Sequence, residues 1–467
     1  MPKIAEHTPS PSIFLARRAL KTMLAWKQAP RRSALCVTGA RQTGKTTLIR
    51  HFGLQQYEHL IELNFLTDPR AKAVFAGPLD AESVITQLSA YLRRPLIPGK
   101  TLIFLDEIQE CPQARTAIKF LVEDGRFDYI ESGSLLGVRT RNVPSFPVGF
   151  ETPITMYPID FEEFCIACGL QEETLSYLKE CFDRTEPVLD AVHQTLNALF
   201  YAYLVVGGMP QCVCTYLATH DMGEVLAVQK DILALYRLDI TRYSDLQKDK
   251  IREIFDALPS QLENKNRRFF LSDLAKSARM ERYESAFIWL SDAGVALPCF
   301  NVSAPTVPLT LSEKRNLFKL FLCDTGLLAC ASMQNIQLDI LQGNVSVNLG
   351  SILENFFAQQ LVTNGFALRY YHSKRLGEVD FAVQKGREVI PIEIKSGRDY
   401  RRHQALNNVL SVPDWGLKQG IVFCRGNVEK VGAVTYLPWY MAPFFVPDPA
   451  ASGKMPVVDL SSLRNTL

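Results

Sequence analysis

The sequence predicts an α/β fold: a parallel sheet carrying a phosphate-binding loop, then a helical connector, a compact helical unit ending in short strands, and a second α/β domain. Three observations predict it. A short apolar run, Ala34–Thr38, leads directly into Gly39-Ala-Arg-Gln-Thr-Gly44-Lys45-Thr46-Thr47 and then into a helical pattern. A second apolar run, Thr101–Leu105, ends in Asp106-Glu107. Strand and helix patterns alternate as far as about Phe164, the order a parallel sheet requires because each parallel connection needs a crossover.

The chain has 467 residues, of which 47% are hydrophobic, enough for sizeable cores and about three domains. Basic and acidic residues nearly balance, 51 against 49, so any contact with nucleic acid must be local rather than a coating of phosphates. The first residues lack the apolar core and cleavage site of a secretory signal. The longest apolar run, Ala198–Val206, stops at Gly207-Gly208, short of the ~20 residues that cross a bilayer. Eleven scattered cysteines do not form a disulfide framework, and a reducing cytoplasmic location without membrane contact is expected. Cys165-Ile-Ala-Cys168 and Cys212-Val-Cys214 read as buried core residues rather than a zinc site. The expected divisions are an N-terminal extension (1–30), the phosphate-binding domain (31–164), a helical connector (165–245), a middle unit (246–335) and a C-terminal α/β domain (348–467).

The first loop stands in the strand–loop–helix setting that phosphate binding requires. Glycine lets backbone N–H groups turn inward around an anion, and the following helix presents its positive end to the same charge. Gly39, Ala40, Arg41, Gln42, Thr43, Gly44, Lys45, Thr46 and Thr47 are therefore assigned to ATP. Lys45 is expected to reach the β- and γ-phosphates, and the Thr46 hydroxyl to ligate Mg²⁺. Asp106, at the end of its strand, holds the same ion through water, and Glu107 polarises the attacking water as general base. His59–Phe65 is a further strand. Asp128-Tyr-Ile-Glu-Ser132-Gly133-Ser134 is a strand ending in hydroxyls beside the γ-phosphate position, for which Ser132 and Ser134 both qualify.

With these blocks in place the sequence resembles bacterial and archaeal AAA-family ATPases that carry a C-terminal domain of unknown function 4143. The likeness extends over most of its length. It rests on Thr38–Thr47, Phe104-Leu-Asp-Glu-Ile-Gln109, Ser132-Gly-Ser134 and Tyr157-Pro-Ile-Asp-Phe-Glu-Glu-Phe164. Gly207-Gly-Met-Pro210, Phe318–Leu328, Gly377-Glu-Val-Asp-Phe381 and Ile392-Glu-Ile-Lys-Ser-Gly397 extend it. The resemblance implies an AAA-type ATP site, a winged-helix-like middle unit and a restriction-endonuclease-like C-terminal core. Relatives often place a basic residue after the glycine that precedes the Tyr-Pro block. Here Phe150 follows Gly149, which removes the phosphate contact expected of that loop.

In the middle unit, Lys250–Leu262 reads as a helix and Phe269-Phe270-Leu271 as a short strand. Tyr283, Phe287 and Leu290 share one face of a third helix, and Val295–Val302 with the proline-containing stretch after it forms the wing. The third helix is not net basic, carrying Glu281, Glu284 and Asp292 against Arg279 and Arg282, so docking between domains is favoured over DNA reading. Arg237 and Arg242 are candidate arginine fingers, with a solvated helix face the favoured reading. In the C-terminal domain Glu354 lies on a helix, Asp380 among strand residues, and Glu393 and Lys395 on one face of another strand. Asp380 and Glu393 are expected to converge on a divalent metal, with Lys395 orienting a water and Glu354 completing the cluster, the chemistry of phosphodiester cleavage. Two functional classes compete: an ATP-driven protein acting on DNA or RNA through this site, and a nucleotide-switched scaffold for a protein partner.

Overall fold

The computed structural model describes residues 14–133, 149–243, 247–264, 267–274, 279–332, 337–341 and 349–449. Strand β1 (Ala34–Thr38) is buried along its length, as its aliphatic composition demands. It lies in a five-stranded parallel sheet with β2 (His59–Asn64), β3 (Thr101–Asp106), β4 (Asp128–Ser132) and β5 (Glu151–Thr155), in the order β2-β3-β4-β1-β5. Because β4 separates β1 from β3, its tip stands between the phosphate loop and Asp106.

Side chains alternate across the sheet and define two apolar layers. Leu35, Val37, Leu102, Phe104 and Ile130 pack on Leu48, Ile49 and Phe52 of α2 (Lys45–Gln56) and on Met23 and Trp26 of α1 (Arg18–Gln28). Ile61, Leu63, Ile103 and Leu105 face Val84 and Leu88 of α3 (Ala81–Leu92) and Ala117, Ile118 and Leu121 of α4 (Pro112–Asp124).

A helical stretch follows: α5 (Phe161–Ala167), α6 (Glu172–Arg184), α7 (Asp190–Val206), α8 (Pro210–Thr219) and α9 (Met222–Tyr243). Asp160 and Glu163 form a reciprocal capping box that starts α5. The stretch Ala198–Val206 is mostly buried within α7, and among the described residues no helix is long and apolar enough to cross a membrane. Helices α10 (Lys248–Glu263) and α11 (Met280–Asp292) then precede an antiparallel hairpin of β6 (Ala296–Val302) and β7 (Glu313–Leu322). Residues 267–270 form no strand; the Phe269 N–H bonds the Phe318 carbonyl at 3.0 Å and a 3₁₀ turn, Leu271–Asp273, follows.

The hairpin is not a free-standing wing. After α12 (Thr325–Ser332), α13 (Gln337–Leu341) and α14 (Gly350–Thr363), strand β8 (Arg369–Ser373) pairs in parallel with β6, and β9 (Gly377–Val379) extends the sheet to the order β7-β6-β8-β9. The expected boundary between the middle unit and the C-terminal domain is thus crossed by a continuous sheet. The expected strand around Asp380 is likewise broken at that residue. The segment that follows it, β10 (Phe381–Lys385), joins a third sheet with β11 (Glu388–Ile394), β12 (Gly420–Cys424), β13 (Glu429–Val431) and β14 (Val434–Pro438), in the order β10-β11-β12-β14-β13. Helix α15 (Gln404–Leu410) crosses from β11 to its parallel neighbour β12.

One core joins the elements that follow Ile159. Phe200 and Tyr203 of α7, Tyr236 of α9, Ile254 of α10, Phe356 of α14 and Phe423 of β12 belong to it. Where α7 meets α12 the backbones touch: a β-carbon on Gly207 would lie 2.8 Å from the Gly326 Cα. The Asp324 carboxylate ties this junction, accepting the Gly208 N–H at 2.6 Å and the Leu327 N–H at 2.9 Å.

Candidate functional site

The phosphate loop wraps from the end of β1 to the start of α2. At Gly39, with φ +138°, a β-carbon would stand 2.1 Å from the Met156 carbonyl oxygen, so only glycine fits. Gln42 also has positive φ, 65°. The buried Thr43 hydroxyl donates to the Ala40 carbonyl at 2.9 Å and stiffens the turn. The Lys45 ammonium lies across the loop, donating to the Gly39 and Ala40 carbonyls at 3.0 and 2.8 Å. Burial lowers its pKa to about 8, while Glu107 and Asp106 pull in the opposite direction.

Asp106 is the junction of the site. Its carboxylate accepts the Thr46 hydroxyl at 3.2 Å, the Asn64 amide at 2.9 Å, its neighbour's N–H (Glu107) at 3.1 Å and the Ser132 hydroxyl. Thr46, Asp106 and Ser132 come from the starts and ends of three different elements, and the strand order brings them together. Glu107 follows with φ 53° and accepts from the Gln109 amide. Of the two serine alternatives, Ser132 donates to Asp106, and Ser134 lies outside the described residues.

Several residues around the loop escape sequence reasoning. Arg17 donates to the Thr43 carbonyl at 2.8 Å and the Tyr157 carbonyl at 2.6 Å, and pairs with Glu163 at 3.1 Å. From the other side, the Tyr236 hydroxyl of α9 donates to the Arg41 carbonyl at 3.0 Å, and Asp239 pairs with the Arg41 guanidinium at 2.9 Å. No local pattern signals these contacts, since the partners are remote in sequence. Asn64 does carry a signal, as the last residue of a strand parallel to the one ending in Asp106. Of the finger candidates, Arg237 pairs with Asp256 at 2.8 Å on an exposed helix face, and the side chain of Arg242 lies outside the described residues.

The second cluster lies where β9 gives way to β10. Phe381 pairs with Ile392, so Asp380 stands level with Glu393. The Asp380 carboxylate accepts the Ile394 N–H at 2.7 Å, and Lys395 pairs with Glu393 at 2.7 Å. Burial and the charge of Asp380 push the Glu393 carboxyl up to about 7, with Lys395 opposing. The second Glu393 oxygen is buried with no hydrogen-bond partner.

Glu354, expected to complete this cluster, is paired with cations from other elements. Its helix is buried almost throughout, so an ionised carboxylate there needs a cation. The fully buried Lys319 of β7 supplies it at 3.2 Å, and Arg267 pairs with the other oxygen. Lys319 also reaches Glu378 at 2.7 Å, which in turn faces His372 at 3.3 Å and Arg268 at 3.5 Å. Lys319 thus bridges Glu354 and Glu378, and its charge also lowers the Glu393 pKa.

Family models match three stretches of the sequence. One described as an AAA domain matches residues 31–165, a domain of unknown function, DUF8612, matches 197–338, and another, DUF4143, matches 349–440. No curated protein matches. Among solved structures, a Walker-type ATPase of Pyrococcus abyssi is 15% identical, with coverage of 68% here and 96% there and a TM-score of 0.39. The Aeropyrum pernix ORC1 protein in complex with DNA is 13% identical, with coverage of 72% and 94% and a TM-score of 0.31. The Thermotoga maritima RuvB Holliday junction branch migration motor is 13% identical, with coverage of 63% and 91% and a TM-score of 0.29.

Proposed function

We propose that this protein, which joins an AAA domain to a DUF4143 domain, is a Mg²⁺-dependent ATP hydrolase whose C-terminal domain engages nucleic acid. The observation that carries the first half is the convergence of Thr46, Ser132 and Asn64 on the Asp106 carboxylate, directly beside Lys45 and Glu107. On nucleotide binding Lys45 exchanges the Gly39 and Ala40 carbonyls for the β- and γ-phosphates. The loop N–H groups from Gly39 to Thr47 hold the remaining phosphate oxygens. Glu107 accepts the proton of the attacking water, and Ser132 keeps the Asp106 carboxylate oriented. The Thr46 hydroxyl and Asp106 carboxylate are hard oxygen donors 3.2 Å apart and suit Mg²⁺, which supplies charge neutralisation between the phosphates.

The second half rests on Asp380, Glu393 and Lys395. An acidic pair plus a lysine is a donor set suited to a hard divalent ion and a water. The order of elements from α14 through β8–β11 and α15 to β12 supports the restriction-endonuclease-like reading. Exposed Lys374 and Arg375 on one adjoining loop, and Arg398 and Arg402 on the other, give the cluster a basic rim for phosphates. A scaffold reading with an inactive nuclease-like domain is favoured by one observation: the Glu354 carboxylate is already paired on both oxygens, with Lys319 and Arg267.

The test is steady-state ATP hydrolysis with and without DNA or RNA, run beside cleavage of labelled single- and double-stranded substrates with Mg²⁺ or Mn²⁺. Stimulation by nucleic acid, and cleavage lost in Asp380→Ala/Lys395→Ala, support the proposal. Hydrolysis indifferent to nucleic acid, with wild type and double variant cleaving alike, supports the scaffold. A cytoplasmic location is part of the same proposal and is read by cell fractionation.

A further inference from the structure

We propose that the AAA domain carries a metal site unrelated to nucleotide, in which Cys36 of β1, Glu131 of β4 and Glu151 of β5 hold one zinc ion. The thiol sulfur and one oxygen from each carboxylate all lie within 4.8 Å of one another. A tetrahedral ion with bonds of about 2.0–2.3 Å spaces its ligands roughly 3.3–3.8 Å apart, so small side-chain movements close the shell. Cys36 and Glu131 are partners in the register of neighbouring strands, and Glu151 comes from the strand on the other side of β1.

The independent observation is Glu131. It is 0% exposed, and neither of its buried carboxylate oxygens has a hydrogen-bond partner outside the cluster; the groups in reach are the Cys36 thiol and the Glu151 carboxylate. A buried carboxyl whose only neighbours are a second carboxylate and a weakly donating thiol is poorly satisfied. An ion bound between it, Cys36 and Glu151 would satisfy it. Charge is consistent with this: two carboxylates and a thiolate bring three negative charges. Arg115, bonded to Glu151 at 3.1 and 2.9 Å, brings one positive charge, and a divalent cation supplies the other two. Binding expels the Cys36 thiol proton and the Glu131 carboxyl proton to solvent. A thiolate with two carboxylates suits zinc, leaving a fourth position for water. Glu151, on the edge strand and 15% exposed in its side chain, gives an entry path. The ion would tie together the strands that carry the phosphate loop and Ser132, the residue after Glu131.

The full-length protein, dialysed against zinc and desalted, is analysed by plasma-emission spectrometry, and the cobalt form by absorption. The expected result is about one zinc per molecule and a thiolate-to-cobalt charge-transfer band. Cys36→Ala and Glu131→Gln are each expected to lose both signals by at least about tenfold, whereas a Cys165→Ala/Cys168→Ala variant keeps them. Thermal unfolding covers the case in which a variant folds poorly: wild type is expected to melt lower with a chelator and Glu131→Gln to be indifferent to it. No zinc in wild type, equal zinc in Cys36→Ala, or a chelator-insensitive wild type that Glu131→Gln stabilises would each overturn the proposal.

Discussion

Replacing Lys319 by methionine tests whether Glu354 is held for charge rather than for metal. Lys319 is 0% exposed and its ammonium touches Glu354 at 3.2 Å and Glu378 at 2.7 Å. Methionine keeps most of the volume and removes the charge. Breaking a buried pair from one side costs ~3–5 kcal/mol, because the surviving carboxylate is left buried and uncompensated. Here Arg267 still serves Glu354, while Arg268 and His372 still face Glu378, so the lower end, about 3 kcal/mol, is expected. For a unit of ~150–250 residues each kcal/mol moves the midpoint by about 2–4 °C, giving a fall of roughly 6–12 °C. The assay is thermal unfolding followed by fluorescence, with Glu354→Gln added in the same background. The double variant is expected to regain at least half of the loss, since the cost lies in the stranded charge. A single variant melting within ~1 °C of wild type, or a double variant no more stable than the single, would refute the reasoning.

Three further outcomes follow from the geometry. Burial raises the Asp324 carboxyl to about 6 from an ordinary 3.8, so the folded protein binds more protons between those values and this residue's contribution to stability falls as pH rises through that window. Between pH 4 and pH 7, unfolding free energies should therefore shift in favour of Asp324→Asn over wild type by ~2–3 kcal/mol, and a pH-independent difference would count against this. A β-carbon on Gly208 would stand 2.0 Å from the Ile159 carbonyl, so Gly208→Ala should destabilise by about 1–3 kcal/mol or more in urea unfolding, against a neutral result if the packing of Gly208 on Ile159 is loose. Lys45→Ala should lose most ATP affinity in nucleotide titration, since the loop's mobile cation is removed; wild-type affinity would contradict its role.

The parts of this fold legible in the sequence are those written in local pattern. The strands Ala34–Thr38 and Thr101–Asp106 carry nearly unbroken apolar runs. The loop from Gly39 to Thr47 reads directly because glycine is needed where φ is positive and the backbone approaches Met156. Asp106 and Ser132 are legible because each ends a buried strand. Pairing between remote segments leaves no such trace. That β6 continues into β8 depends on two strands separated by β7 and three helices, so the hairpin reads locally as a separate wing. For Glu354 the sequence shows a carboxylate on a helix but not Lys319 arriving from another element to pair with it. Arg17, Tyr236 and Asp239 approach the phosphate loop from segments whose own patterns serve helix ends and helix faces.

The central claim is that Glu107, set beside Asp106 and Lys45, activates water for ATP hydrolysis. Glu107→Gln keeps the size and hydrogen bonding of the side chain and removes its basicity. ATP binding and steady-state phosphate release are measured side by side on wild type and variant with Mg²⁺. The account predicts unchanged binding with hydrolysis slowed at least about tenfold. Unchanged hydrolysis in the variant would contradict it.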